Sequence, residues 1–147
     1  MPAQSISPVL NVAALRLGYL ATLPFMVGAA LVWLVRADAH PYAAMALSAY
    51  AAVVIAFLGG VHWGFGFREA QPGTQLFVWG VLPALIACVA VLMQPYAGLV
   101  VHGVMLAVCY LIDRRVYPAH GAGAWLTLRF RLSVAASLSC FVGAAGS

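Results

Sequence analysis

Between Leu17 and Ala145 the charged side chains fall in four places only: Arg36 and Asp38, Arg68 and Glu69, Asp113 to Arg115, and Arg129 with Arg131. Apart from the link from Asp113 to about Thr127, the stretches between them are apolar for long enough to cross a bilayer, which requires roughly 20 residues at 1.5 Å per residue. Five such segments are predicted, at about 17–35, 42–66, 76–93, 96–112 and 128–145, the third and fourth parted only by Gln94-Pro95. Ser7-Pro8 reads as a possible N-cap and first-turn proline of an earlier start to the first helix. Transmembrane strands would be about half as long with apolar–polar alternation, which this chain lacks. The expectation is an all-α integral membrane protein, a bundle of five transmembrane helices forming a single domain over 1–147.

Composition closes off the soluble alternatives. Hydrophobic residues make up 65% of the chain and charged residues 7%, against roughly 25% charged in a soluble domain. The net charge of +4 comes from arginines scattered singly or in pairs rather than in a patch, so nucleic acid is not an expected partner. Cys88, Cys109 and Cys140 sit apart within apolar segments and read as packing residues, not as a disulfide framework.

With five crossings, Arg16, Arg68, Arg114, Arg115, Arg129 and Arg131 share one side and Arg36 stands alone on the other. Six against one is a strong positive-inside bias, placing the N-terminus in the cytoplasm and the C-terminus outside. A rival reading makes the first segment a signal peptide cleaved after Ala37-Asp38-Ala39. Its apolar stretch exceeds the roughly 7–15 residues of such a region, and Arg36 beside the cut is unfavourable. No linker is long enough for a soluble domain. Pro24 and Pro83 interrupt the first and third segments and are expected to shape their helices.

Two polar constellations lie inside the apolar segments. In Phe57-Leu-Gly-Gly-Val-His-Trp-Gly-Phe-Gly-Phe67, Gly60 and Gly64 form a GxxxG pair that allows close approach of another backbone, within the chain or in a dimer. Gly59, His62 and Gly66 share an adjacent face, leaving room around the imidazole for a partner helix or a ligand. In the fourth segment His102, Leu106, Cys109 and Asp113 follow one stripe, matched in the fifth by Arg129, Ser133, Ala136 and Cys140. Ionisable groups at membrane depth face the bundle interior, so Asp113 is expected to pair with Arg129 or Arg131, as a clasp or as part of a ligand site.

Shared haem ligation by His62 and His102 is disfavoured by their different depths, about 8 and 16 Å from the helix ends. No carboxylate or thiol cluster accompanies either histidine, so neither a metal nor another cofactor is expected. Nucleophilic catalysis finds no motif, and His62 as a general base lacks an assured second titratable partner.

The runs Phe57-Leu-Gly-Gly-Val-His-Trp-Gly64, Asp113-Arg-Arg115 and Trp125-Leu-Thr-Leu-Arg-Phe-Arg-Leu-Ser133 resemble a bacterial family of small five-helix membrane proteins of unknown function, one that includes mitochondrial transmembrane protein 69. The resemblance extends from about Leu15 to Cys140. It implies a bacterial inner-membrane or mitochondrial inner-membrane location and no particular reaction. The residues themselves suggest a non-catalytic protein whose cytoplasmic-side cluster of His62, Arg68, Asp113, Arg114, Arg129 and Arg131 binds a lipid head group, a quinone-like molecule or a partner subunit. Membrane lipids, subunits of a membrane complex or further copies of the chain are the partners this admits. The alternative is a small transporter or proton conductor using His102 and Asp113.

Overall fold

The computed structural model describes residues 9–147, and Ser7-Pro8 lies outside them. Within this range the chain forms helices α1 (Val12–Leu34), α2 (His40–Gly66), α3 (Thr74–Val91), α4 (Pro95–Ala119) and α5 (Leu126–Gly146), with one short 3-10 turn at Gly123–Trp125. All five described helices are long and apolar enough to span a membrane. The protein is a multi-pass membrane protein.

Local chemistry sets the helix ends. Asn11 caps α1, its side chain accepting from the Ala13 and Ala14 amides at 2.8 and 3.2 Å. Prolines open α2 and α4 at their first turns, where a missing N–H costs no hydrogen bond. Pro24 and Pro83 lie inside α1 and α3, which continue through them. The fourth helix extends two turns beyond its apolar stretch to Ala119, because hydropathy falls at Asp113 while helix-compatible residues continue. It stops in a Schellman motif: Ala122 N–H reaches the Tyr117 carbonyl at 2.8 Å and Gly121 N–H the Pro118 carbonyl at 3.3 Å. Gly121 takes the left-handed φ of +73° that this stop demands.

Successive helices pack side by side, α1 also closes onto α5, and α2 touches all four others. At one end Trp33 Nε1 donates to the Val142 carbonyl at 3.0 Å, and His40 Nε2 lies 2.6 Å from the Gly146 carbonyl. The opposite end gathers the start of α1, the α2–α3 connection, the end of α4 and the start of α5, and therefore Arg16, Arg68, Arg114, Arg115, Arg129 and Arg131. This is the arginine-rich end.

Burial is distributed as in a lipid-solvated bundle. Leu20, Leu23, Val53, Phe57, Leu85, Val89 and Leu138 are exposed, whereas Ser48, His62, His102, Asp113, Ser133 and Ser137 are buried. Small residues draw the helices together, and the closest seam is not the Gly60–Gly64 pair. Nothing stands within 4 Å of a Cβ built at either of those positions. The approach occurs one residue earlier, where Gly59 packs on the backbone of Gly80 and the Trp63 indole lies over Gly80. Trp63 fixes the crossing by donating Nε1–H to the Phe77 carbonyl at 3.0 Å.

Candidate functional site

Near the arginine-rich end, three helices bring ionisable side chains to one buried point. His62 comes from α2, Asp113 from α4 and Arg129 from the first turn of α5; Asp113 and His62 are each only 1% exposed. Of the two arginines on α5, Arg129 takes the carboxylate. Its Nε donates to Asp113 Oδ2 at 2.9 Å, its Nη2 donates to the same oxygen, and its Nη1 donates to Ser133 Oγ at 3.2 Å. Arg131 points elsewhere, reaching the Tyr19 hydroxyl of α1 at 3.2 Å. Two residues along a helix means a rotation of about 200°, so both arginines do not share one partner.

Because both donors from Arg129 fall on Oδ2, the second carboxylate oxygen is left over. His62 Nε2 stands 3.3 Å from Oδ1, yet both atoms lack a hydrogen bond of sound geometry. The other ring nitrogen is committed, Nδ1–H donating to the Leu58 carbonyl at 3.3 Å. A neutral imidazole with its proton on Nδ1 therefore turns a lone pair toward a carboxylate oxygen. The arrangement is one hydrogen short. A proton, or a polar group that donates between the two atoms, would complete it.

His102 offers an instructive contrast. Its Nε2 donates to the Ala87 carbonyl at 3.2 Å and its Nδ1 accepts from the Ser48 hydroxyl at 3.3 Å. Both ring positions are used, so His102 bolts α2, α3 and α4 together. It also lies about 16 Å along α4 from Asp113.

The imidazole of His62 forms part of the wall of a cleft of about 670 Å³ between the end of α2, the start of α3 and the end of α4. Leu76, Val78, Ile112 and Val116 supply apolar wall, and Trp79 and Arg115 contribute polar groups. Two residues of the rim satisfy each other: Glu69 Oε1 and His120 Nε2 are 2.6 Å apart, and the His120 ring stacks on Phe65 with centroids 5.0 Å apart. Arg68 lies beside this pair in a separate depression. Arg114 lies along the α4–α5 groove with Tyr110 and Phe130, away from the cleft. Of the six residues read from the sequence, then, His62, Asp113 and Arg129 meet, Arg68 borders them, and Arg114 and Arg131 face other surfaces.

Trp79, Glu69 and His120 were not among those six. The first belongs to an apolar helix without a local polar pattern, and the other two meet only because the α2–α3 connection folds against the end of α4.

A family model described as "Protein of unknown function (DUF3429)" matches residues 10–145. The chain belongs to this family. The match to DUF3429 includes His62, Asp113, Arg129 and every residue lining the cleft. Over 134 residues the chain is 36% identical to Transmembrane protein 69 of Xenopus tropicalis, covering 86% of this chain and 51% of that protein. It thus spans about half the length of the curated relative it matches. No solved structure matches it.

Proposed function

We propose that the protein is a non-catalytic binding protein of the bacterial inner membrane, which holds the head group of a membrane amphiphile in the cleft between α2, α3 and α4. The supporting observation is the buried pair of His62 Nε2 and Asp113 Oδ1, 3.3 Å apart and without a hydrogen bond, with His62 in the wall of that cleft. An isolated structural clasp needs only Asp113, Arg129 and Ser133. It gives no reason to hold an imidazole with a free nitrogen against the carboxylate and beside an open cleft. On this reading Asp113 and Arg129 orient the floor of the site, while Arg68, Arg114 and Arg131 add positive potential around it. The bias of six arginines against one supports a cytoplasmic position for this end, with the ligand entering from the inner leaflet.

Two variants test the reading by mass spectrometry of lipids and quinones retained by the purified protein. His62→Ala removes the polar floor, and Ile112→Trp fills the cleft without touching the network. Each is expected to lower the retained amphiphile at least about fivefold, roughly the loss of one hydrogen bond or of the space itself. Unchanged retention in both folded variants would contradict the proposal. An alkaline phosphatase fused after Ser147 should be active outside the cytoplasm, and cytoplasmic placement of that fusion would reverse the assigned side.

A further inference from the structure

Several donors in the cleft lining have no acceptor among the described residues. Trp79 lines the cleft, and its Nε1–H is buried without a partner. Thr74 and Gln75, also in the lining, are the first two residues of the 18-residue helix α3. Their backbone N–H groups have no intrahelical acceptor, and the N-cap, Gly73, makes no side-chain capping bond. Arg115, from the last turns of α4, has no carboxylate within 4 Å among the described residues. The carboxylate at the rim, Glu69, is already matched by His120. A helix N-terminus, a cation and an indole N–H around one space form a receptor for an oxyanion. The orphaned Nε1–H of Trp79, a donor from a third kind of group in the same lining, is the observation independent of the helix terminus and of Arg115.

We infer that the cleft takes an anionic amphiphile, its phosphate or carboxylate oxygens set against the α3 N-terminus, Trp79 and Arg115 and its chain against Val78 and Ile112. This rests on reading the cleft as a ligand site and adds the chemical class of the ligand. The apolar wall commits the site to a lipid-borne head group rather than to free phosphate: Leu76, Val78, Ile112 and Val116 give dissolved phosphate nothing to exchange for its hydration. A neutral quinone would leave the Arg115 charge and the helix terminus unanswered.

Native mass spectrometry of the detergent-purified full chain decides the matter, using phosphatidylglycerol, a short-chain ubiquinone analogue and inorganic phosphate as separate probes. Phosphatidylglycerol is expected to be retained in preference to the quinone and to resist millimolar phosphate. Arg115→Gln and Trp79→Phe should each weaken its retention by about tenfold. Arg16→Gln, which removes an equal charge from the same end on α1, should stay within about twofold, separating a local contact from general surface potential. Preference for the quinone with no effect of Arg115→Gln would overturn the anionic class and leave the cleft as a ligand site. Displacement by free phosphate would overturn the lipid-borne assignment. Retention of no probe by folded wild-type protein would overturn this inference and the binding function together.

Discussion

Arg129→Met is expected to destabilise the protein by about 3–5 kcal/mol, the usual cost of stripping a buried charge of its partner. Asp113 is 1% exposed, and Oδ2 receives two of the three hydrogen bonds that guanidinium makes. With Arg129 gone, its neighbour on α5 does not replace it, since Arg131 is turned toward Tyr19. The charge is the problem rather than the missing contact, so Asp113→Asn introduced with Arg129→Met should restore most of the loss. Arg131→Met, by contrast, removes one exposed bond and should cost no more than about 0.5 kcal/mol. Thermal melting in detergent, followed by size-exclusion chromatography, ranks the variants. A fall of roughly 10 °C for Arg129→Met is expected, and a melting point within experimental scatter of wild type would refute the buried-charge account.

The second large effect separates two adjacent glycines. Gly59→Val would place a side chain against the Gly80 carbonyl, inside van der Waals contact. Backbone has no rotamer with which to yield, so α2 and α3 must move apart, disturbing the Trp63–Phe77 bond and the cleft wall on α3. Overpacking of this kind costs about 1–3 kcal/mol or more. Gly60→Val meets nothing within 4 Å and should change stability by no more than about 0.5 kcal/mol in the isolated protein. Equal melting temperatures for the two variants would show that the helices do not cross at Gly59 and Gly80.

These two glycines also mark how far the sequence can be read. The GxxxG pattern points to Gly60 and Gly64, whereas within the chain α2 packs on α3 through the neighbouring Gly59; a motif carries the spacing of a seam but not its phase relative to the other helices of the same chain. Elsewhere phase is legible. Arg129, Ser133, Ala136 and Cys140 lie on one stripe, and the last three are buried, which selects Arg129 over Arg131 as the partner of Asp113. The five helices follow from hydropathy because lipid leaves a backbone few other ways to satisfy its hydrogen bonds. Hydropathy fails at the end of α4, where the helix outlasts its apolar stretch and carries Asp113, Arg114 and Arg115 in its final turns. Room beside His62 was legible, but the rest of the cleft was not. It depends on α3 standing beside α4, which sets Trp79 and the start of α3 near Arg115, and no local pattern in either segment encodes that meeting.

The functional reading depends on whether the space beside His62 is occupied in the membrane. A density map of the full chain extracted with its native lipid answers this most directly. The account predicts an elongated non-protein density between α2, α3 and α4, with its polar end within hydrogen-bond distance of Trp79 Nε1 and the first amides of α3. A cleft closed by its own side chains, or filled by water alone in protein that keeps its native lipid elsewhere, would contradict it.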